Sequence, residues 1–254
     1  ELELVESGKN GFTGIWQDGP RKGTLGKQDT SFIAPGFVCH DLTAKQLGRT
    51  LTVVYATPIR KGECRLFARF PFKFASKLPA FFIKLTPRWY SHISNNRILE
   101  DDQIFLHYQE RFLEESGGSP NFNKAFYLPT KADTYVSELR KWVNQYNANP
   151  FPGETLPPRL STEKLLDRYN SHTKHCASCR KALARIKQLR ILITVLAAVT
   201  WAMIPLTYFL QNQSVVLPLS FSGIFLLSLA GWFGLGRLEQ RMTRGEEIPP
   251  RNLP

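Results

Sequence analysis

Two histidines and two cysteines lie close together in the stretch SHTKHCASCRKAL, residues 171–183. His172, His175, Cys176 and Cys179 are residue types that bind zinc, and a Cys-x-x-Cys pair also supports thiol–disulfide chemistry. Four ligands within eight residues of one helix do not converge easily into a tetrahedron, and the chain has no second Cys-x-x-Cys. Three interpretations stay open: a zinc site, a redox pair, and two cysteines that only pack in a helix beside a membrane.

The redox pair is favoured by helix geometry and by charge. Cys176 and Cys179 are three positions apart, and such positions adjoin on a helix. Lys174, Arg180 and Lys181 lie nearby and would favour the thiolate form. The residues therefore favour a redox pair at this point of the chain, and two cysteines that only pack remain the alternative.

A carboxylate interrupts the apolar stripe of a long predicted helix. Asp102 falls on the stripe that the helix period assigns to the core, and a buried carboxylate costs several kcal/mol unless it is compensated. A salt bridge, partial burial or a divalent iron would each keep it ionised. Asp101 points about 100° away and is expected to be solvated. The full stripe is Ile98, Asp102, Phe105, Gln109 and Phe112.

The elements that would position these residues follow from hydrophobic periodicity. The first seventy residues, from ELELVESG through FTGIW, SFIAPGFVCHD, RTLTVVYATPI and ECRLFARFPF, predict consecutive antiparallel strands. From about Leu78 the period becomes helical and continues to the SGGSP breaker.

Two further helices are predicted after that breaker. KADTYVSELRKWVNQY has a clear apolar stripe, and STEKLLDRY opens a third helix with Ser161 or Thr162 as its cap, after the Pro-rich linker NPFPGETLPPRL. The stripe of the second helix is Tyr135, Val136, Leu139, Trp142, Val143 and Tyr146.

The C-terminal part of the chain predicts a membrane hairpin. There is no charged residue from Ile191 to Gly236, and two apolar segments of spanning length flank a short polar turn, QNQS. The flanks RKALARIKQLR and GRLEQRMTR are basic, which places both ends on the cytoplasmic or stromal side. The net charge of +12 then indicates anionic lipid as a partner, and the basic, Phe-rich residues 57–79 predict an interfacial segment rather than a nucleic-acid site.

The remaining compositional features concern the extent and compartment of the protein. Four cysteines without a secretory signal argue against a disulfide-stapled extracellular domain. The chain begins within a predicted strand and without Met, so we expect it to be a fragment of a longer protein.

Three motifs resemble one family in the same order. PRWYSHISNNRILEDDQIFLHYQERFL, FYLPTKADTYVSELRKWV and LPPRLSTEKLLDRYNSHTKHCASCRKAL, followed by the hydrophobic hairpin, are similar to the C-terminal part of the pheophorbide a oxygenase family, over nearly the whole chain. The resemblance implies a Rieske-type non-haem iron oxygenase with a [2Fe–2S] cluster and a mononuclear Fe(II) held by two histidines and one carboxylate. It also implies a chlorophyll-derived tetrapyrrole as substrate, O₂ and a ferredoxin-like electron donor.

The resemblance also suggests roles for particular residues. An acid followed seven residues later by Gln or Glu matches Asp102 and Gln109, which implies that Asp102 is the iron ligand and Gln109 its neighbour in the site. Cys176 and Cys179 resemble a thioredoxin-reducible switch, and with this resemblance we predict a regulatory dithiol beside the membrane. The Rieske motif and the histidine-ligand motif are expected upstream of this chain, which would be inactive in isolation. The spacing of His40, His92 and His107 gives no support for iron binding, and His107 is expected to be structural.

These observations together predict an α+β helix-grip domain, an antiparallel sheet around a long helix. Residues 1–148 would form the C-terminal part of the catalytic domain, 149–188 a linker and the Cys-x-x-Cys helix, 189–236 the hairpin and 237–254 a basic tail. The expected function is that of a membrane-anchored monooxygenase in a cyanobacterial or plastid membrane. The alternative is a non-catalytic, membrane-bound tetrapyrrole-binding or redox-sensing module.

Overall fold

The structure, a computed structural model, describes residues 2–20, 25–44, 48–210 and 215–246. The chain forms two compact units. The first unit contains residues 1–85 and 105–159, and the second contains residues 86–104 and 160–254.

The first unit is built on an antiparallel sheet of seven strands. Its strands follow one another as a meander, so that each of the first six pairs with its sequence neighbour. The sheet confirms the antiparallel strands predicted for the first seventy residues. The strands are β1 Leu2–Gly8, β2 Gly11–Trp16, β3 Gln28–Ile33, β4 Phe37–Ala44, β5 Gly48–Arg60, β6 Glu63–Arg69 and β7 Phe72–Phe74.

The segment SFIAPGFVCHD is two strands, where the sequence predicted one. β3 ends at Ile33 and β4 begins at Phe37, with a tight turn between them. The turn requires a glycine, because a Cβ at Gly36 would lie 2.4 Å from the carbonyl oxygen of Ala56. The Ala56 amide donates a hydrogen bond of 2.8 Å to the Gly36 carbonyl, which ties the turn to β5.

The helix that packs on the sheet is α4, Thr134–Gln145. Trp142 packs edge-on against Phe32 with ring centroids 5.1 Å apart, and Phe32 in turn contacts Phe12. The indole Nε1 of Trp142 donates a hydrogen bond of 3.0 Å to the Lys9 carbonyl. The predicted stripe of this helix forms the apolar core of the unit, except that Val136 is exposed. The sheet therefore packs against this shorter helix, and not against the long helix that the sequence pattern predicted in that place.

The long predicted helix is confirmed as α2, Arg88–Glu115, which follows α1, Lys77–Leu85. Residues 88–104 of α2 belong to the second unit and residues 105–115 to the first. The helix ends at two glycines with positive φ, and the Gly118 amide donates 2.8 Å to the Leu113 carbonyl, as in a Schellman-type end. A short helix, α3 Phe122–Ala125, follows.

The third predicted helix is only one turn long. Ser161 is the N-cap of α5, Thr162–Leu165, but its side chain makes no capping hydrogen bond. A single turn of π-helix, Tyr169–Thr173, comes next, and the continuous helix α6 begins only at Ala177. The prediction failed here because the chain forms a wider turn where the capping pattern suggested a regular helix.

Two long helices dominate the second unit. They are α6, Ala177–Leu210, and α7, Val216–Thr243. Both are long and apolar enough to cross a membrane by length and composition. The predicted QNQS turn lies outside the described residues. The basic ends of the pair are tied by Arg190, which bonds Glu239 and lies over the Trp232 ring at 4.5 Å.

Candidate metal centre in the helical unit

Four side chains of the second unit converge on one point. They are His92, His172, Cys176 and Cys179, and their ligand atoms all lie within 4.8 Å of one another. His92 Nδ1 is 3.2 Å from His172 Nε2, 3.5 Å from Cys176 Sγ and 3.4 Å from Cys179 Sγ. Cys179 Sγ is also 3.4 Å from His172 Nε2. We call these four residues the His₂Cys₂ cluster.

Three different local structures present the four groups. His92 lies in the second turn of α2, and its neighbour Ile93 is buried in the core of the unit. His172 lies in the π-helical turn, a conformation that occurs frequently at functional sites. Cys176 precedes the first residue of α6, and Cys179 lies in its first turn with 2 % of its surface exposed. The ligands therefore come from three elements rather than from one regular helix.

A buried ion pair holds the π-helical turn in place. Arg168 is 2 % exposed and donates two hydrogen bonds to Glu100 of α2, from Nε at 2.7 Å and from Nη2 at 2.5 Å. Its third guanidinium nitrogen, Nη1, donates to the Arg241 carbonyl at the end of α7. A bidentate pair with its remaining donor satisfied is the geometry in which buried charges are best compensated.

Further contacts connect the same turn to the chain after α7. Thr173 Oγ1 donates a hydrogen bond of 2.5 Å to the Met242 carbonyl, and the Gly245 amide donates 2.8 Å to the Leu166 carbonyl. The apolar core beneath the cluster contains Cys179 itself. Its other buried members are Ile93, Ala182, Leu183, Ile186 and Met242. The segment from Leu166 to Cys179 is therefore fixed at both ends.

The electrostatics of the cluster differ from those expected of a reactive dithiol. The thiols precede the uncharged apolar segment that begins at Ile191, and burial, followed by the neighbouring Cys176, raises the pKa of Cys179 to about 12. The predicted effect of Lys174, Arg180 and Lys181 is therefore outweighed by burial at this cysteine. Burial also lowers the pKa of both His92 and His172, which keeps the imidazoles neutral. Neutral imidazole is the form that binds metals.

The structure corrects the ligand set that the sequence suggested. His175 is exposed and lies outside the cluster, and His92, for which the spacing gave no support, takes the fourth position. His92 is 80 residues from His172 in the chain, so no local motif contains both. The sequence contained only part of the signal for this cluster, namely the Cys-x-x-Cys preceded by His172, and nothing in it pointed to His92 as the fourth member.

The predicted burial of the carboxylates on α2 was wrong. Asp101 is only 4 % exposed, whereas Asp102 is exposed. The buried face of α2 follows Ile93, Glu100 and His107, and the apolar stripe that surrounds Asp102 lies on the opposite side. Three of its side chains are more than half exposed, namely Ile98, Phe105 and Phe112. Hydrophobicity alone therefore misidentified the inner face of this helix.

The remaining predicted residues lie apart from the His₂Cys₂ cluster. Gln109 is half-buried, one helical heptad after Asp102. His40 lies in β4 within 2.9 Å of Thr30 Oγ1 and 3.0 Å of Gln28 Nε2. His107 is buried and lies 3.0 Å from Arg111 Nη1. Within the described ranges, the His₂Cys₂ cluster is the one group of three or more potential metal-binding side chains, and Asp102 does not belong to it.

The fold and site define an α+β protein with two units. One is a sheet unit, and the other contains two long apolar helices and the His₂Cys₂ cluster at the N-terminal end of α6. Residues 32–120 match the family model for pheophorbide a oxygenase. This matched segment contains His92, Asp102 and Gln109. The chain belongs to the pheophorbide a oxygenase family.

Three curated relatives show the extent of the similarity. The protochlorophyllide-dependent translocon component 52 of Arabidopsis thaliana is 34 % identical over 177 residues, which cover 67 % of this chain and 30 % of that protein. Flavonoid 8-hydroxylase 2 of Ocimum basilicum is 35 % identical over 194 residues, covering 69 % and 36 %. Pheophorbide a oxygenase of Arabidopsis thaliana is 28 % identical over 274 aligned positions, covering 95 % and 48 %. All three relatives are described as chloroplastic.

The chain thus spans between 30 % and 48 % of the length of these relatives. No solved structure is significantly similar to it.

Proposed function

We propose that this chain is the C-terminal portion of a membrane-anchored Rieske-type monooxygenase that acts on a chlorophyll-derived tetrapyrrole. The observation that carries the proposal is the exposed apolar face of α2 with a carboxylate in its middle. Ile98 and Phe105 flank Asp102, and all three are exposed. Ligand pockets are lined mostly by apolar side chains with a few polar groups, and the apolar side chains around the Asp102 carboxylate have this composition.

The described residues do not form an iron site by themselves. No pair of histidines joins Asp102 within the part of the chain that the structure describes. Asp102 would therefore supply one carboxylate, with Gln109 near it, to a site whose histidines lie outside residues 1–254. The [2Fe–2S] cluster and the ferredoxin-like donor belong to the same proposal, and we assign no step of the reaction to this chain.

Membrane anchoring forms the second part of the proposal. The helices α6 and α7 carry the uncharged segment from Ile191 to Gly236, and most of its large apolar side chains are exposed. Basic residues lie at both ends of the pair, which favours the cytoplasmic or stromal side for both ends. In sealed vesicles with the cytoplasmic or stromal face outward, trypsin should cleave the basic flanks. Flanks that resist trypsin in these vesicles would contradict this orientation.

The domain boundaries and the helix-grip architecture belong to the proposal as well. Residues 1–148 would form the C-terminal part of the catalytic domain, an antiparallel sheet around a long helix. Residues 149–188 would connect it to the hairpin, 189–236, and to the basic tail, 237–254. Limited proteolysis within residues 149–160 should then leave the sheet folded, and a sheet that unfolds on this cleavage would contradict the boundary.

The proposal is tested by replacing Asp102 with Asn in the native membrane protein. The control is Glu115→Gln, which neutralises another exposed acid of α2. We expect the parent and the control to contain about three irons, two in the cluster and one mononuclear. The Asp102 variant should lose the mononuclear iron and the turnover of pheophorbide a. Unchanged iron and turnover would favour the alternative, a non-catalytic binding or redox-sensing module.

Substrate class is resolved by the same preparation. The similarity to a flavonoid 8-hydroxylase makes a flavonoid the appropriate second substrate to assay. Oxidation of the tetrapyrrole but not of the flavonoid supports the proposal. Oxidation of the flavonoid alone would support the proposed oxygenase activity but contradict the proposed tetrapyrrole substrate.

A regulatory dithiol formed by Cys176 and Cys179 is a separate proposal, which applies only to protein that carries no metal ion on these two thiols. Their sulfur atoms are close enough for a disulfide after a small rearrangement, since both lie within the 4.8 Å of the cluster. If a thioredoxin controls the enzyme through this pair, Cys176→Ser should abolish that control. Control that survives the substitution would exclude the pair as its target.

A further inference from the structure

We propose that His92, His172, Cys176 and Cys179 bind one zinc ion in a closed structural site. The site joins the beginning of α2 to the π-helical turn and the beginning of α6, all within the second unit. It is independent of the oxygenase reaction and of the iron ligands proposed above, and while the ion is bound it excludes thiol–disulfide exchange at Cys176 and Cys179.

The distances within the cluster are those of a tetrahedron around zinc. With Zn–N of about 2.0–2.1 Å and Zn–S of about 2.3 Å, the edges of a tetrahedron are about 3.3 Å for N–N, about 3.6 Å for N–S and about 3.8 Å for S–S. The observed N–N distance is 3.2 Å, and the three N–S distances given above are 3.4, 3.4 and 3.5 Å. The other two pairs are within 4.8 Å. The four groups are thus already arranged around a central point.

Hydrogen bonding alone does not account for this convergence. His92 Nδ1 has three of the other ligand atoms within 3.5 Å. A ring nitrogen of neutral imidazole either donates one proton or accepts at one lone pair, so it satisfies one such neighbour. His172 Nε2 faces both His92 Nδ1 and Cys179 Sγ in the same way. A shared cation satisfies all of these atoms at once.

The ligand types select zinc among the common metals. Two imidazoles and two thiolates in a tetrahedral arrangement suit zinc or an iron–sulfur centre, and they do not suit Mg²⁺ or Ca²⁺. A cluster with two irons would hold two ligands on each iron and would separate the two pairs by more than the present distances. The two thiolates also neutralise the two charges of the zinc ion, which suits the buried Cys179. Four protein ligands leave no open position, as in structural zinc sites.

The position of the ligands indicates what the ion does. His92 and His172 are 80 residues apart, so the ion closes a long loop of the chain at the base of the apolar helices. Closing a long loop restricts the unfolded chain more than closing a short one. The ion would therefore fix the π-helical turn against α2, beside the Glu100–Arg168 pair.

The test is the zinc content of the purified 254-residue chain in detergent, produced in zinc-supplemented medium without chelators. We expect one zinc per chain in the parent. His92→Ala and Cys179→Ser should each weaken zinc binding by more than about 100-fold, because loss of a supporting residue outside the ligands already costs about 10- to 100-fold. The matched controls are His175→Ala and Cys64→Ser, one exposed histidine and one exposed cysteine outside the cluster. Both controls should keep one zinc.

A second measurement covers the case in which a ligand variant fails to fold. The parent chain is loaded with Co²⁺ in place of zinc, and its absorption spectrum should show tetrahedral cobalt with thiolate charge-transfer bands. A parent chain without stoichiometric zinc, controls that lose zinc as the ligand variants do, or an iron chromophore in the purified chain would each overturn the proposal. None of these readouts depends on oxygenase turnover, so failure here is distinct from failure of the proposed function.

Discussion

The sheet unit and the helical unit are stabilised in different ways. The sheet unit has an apolar core in which Trp142 and Phe32 join one helix to neighbouring strands. The helical unit also contains the buried Glu100–Arg168 pair, the buried Thr173 and the His₂Cys₂ cluster, of which Cys179 is buried and the other three residues are partly buried. Burial of apolar area tolerates small changes, whereas a buried polar network depends on every partner. The helical unit should therefore be the more sensitive of the two to single substitutions.

The largest effect is expected from breaking the buried ion pair. Arg168→Met leaves the Glu100 carboxylate buried without its partner and should lower the free energy of unfolding of the helical unit by about 3–5 kcal/mol. The double variant Glu100→Leu with Arg168→Met should recover part of this loss, since no charge remains unpaired. Hydrogen exchange followed by peptide mass spectrometry measures each unit separately. Equal losses in the single and double variants would mean that the charge pairing is not the cause.

Removal of zinc should affect the same unit to a similar extent. At free zinc about 1,000 times above the dissociation constant, binding stabilises the folded form by about 4 kcal/mol. A chelator should remove this stabilisation and accelerate exchange in α6 near Cys179, but leave β2 and α4 unchanged. The comparison between the units would fail if the sheet lost protection to the same degree.

A smaller effect is expected in the core of the sheet unit. Trp142→Phe removes the hydrogen bond to the Lys9 carbonyl and part of the ring volume, which should cost about 1–2 kcal/mol. The zinc content of the chain should not change. Loss of zinc in this variant would show that the two units do not respond independently.

The smallest expected effect is a dependence of the stability of the sheet unit on pH. Burial lowers the pKa of His40 from its ordinary 6.5, and the groups facing it are Gln28 and Thr30 of β3 and Thr52 of β5. The unfolded chain takes up a proton below about pH 6.5 before the folded one does, so the stabilisation is complete above that pH. It should be lost as the pH falls through the lowered folded pKa. His40→Gln should reduce this pH dependence. The free energy of unfolding is measured in urea between pH 7 and pH 5, and a variant whose free energy changes with pH as much as that of the parent would contradict the prediction.

The two units also differ in how far their structure follows from sequence. Strand alternation and the stripe of α4 are local patterns, so the antiparallel sheet and Trp142 as a core residue were predictable. The face of α2 was not, because Glu100 and Asp101 are buried by partners that periodicity does not reveal. Asp102 is exposed together with its apolar neighbours Ile98 and Phe105, whereas an apolar stripe on a helix usually faces the core.

The His₂Cys₂ cluster was predictable only in part. The Cys-x-x-Cys and His172 identified the place, but the π-helical turn breaks the helix period on which the geometric argument depended. His92 reaches the cluster through the fold of the second unit and not through spacing in the chain. Convergence of residues that are far apart in the chain depends on tertiary structure, so the spacing of residues in a single sequence does not predict it.

The most direct test of the account is X-ray absorption at the zinc edge of the intact chain. It predicts two sulfur atoms at about 2.3 Å and two nitrogen atoms at about 2.0–2.1 Å from a single zinc ion. One sulfur and one nitrogen scatterer should be lost, or the metal released, in the Cys179→Ser and His92→Ala variants respectively. A coordination shell of oxygen and nitrogen only, or zinc that survives both substitutions unchanged, would contradict the proposed site.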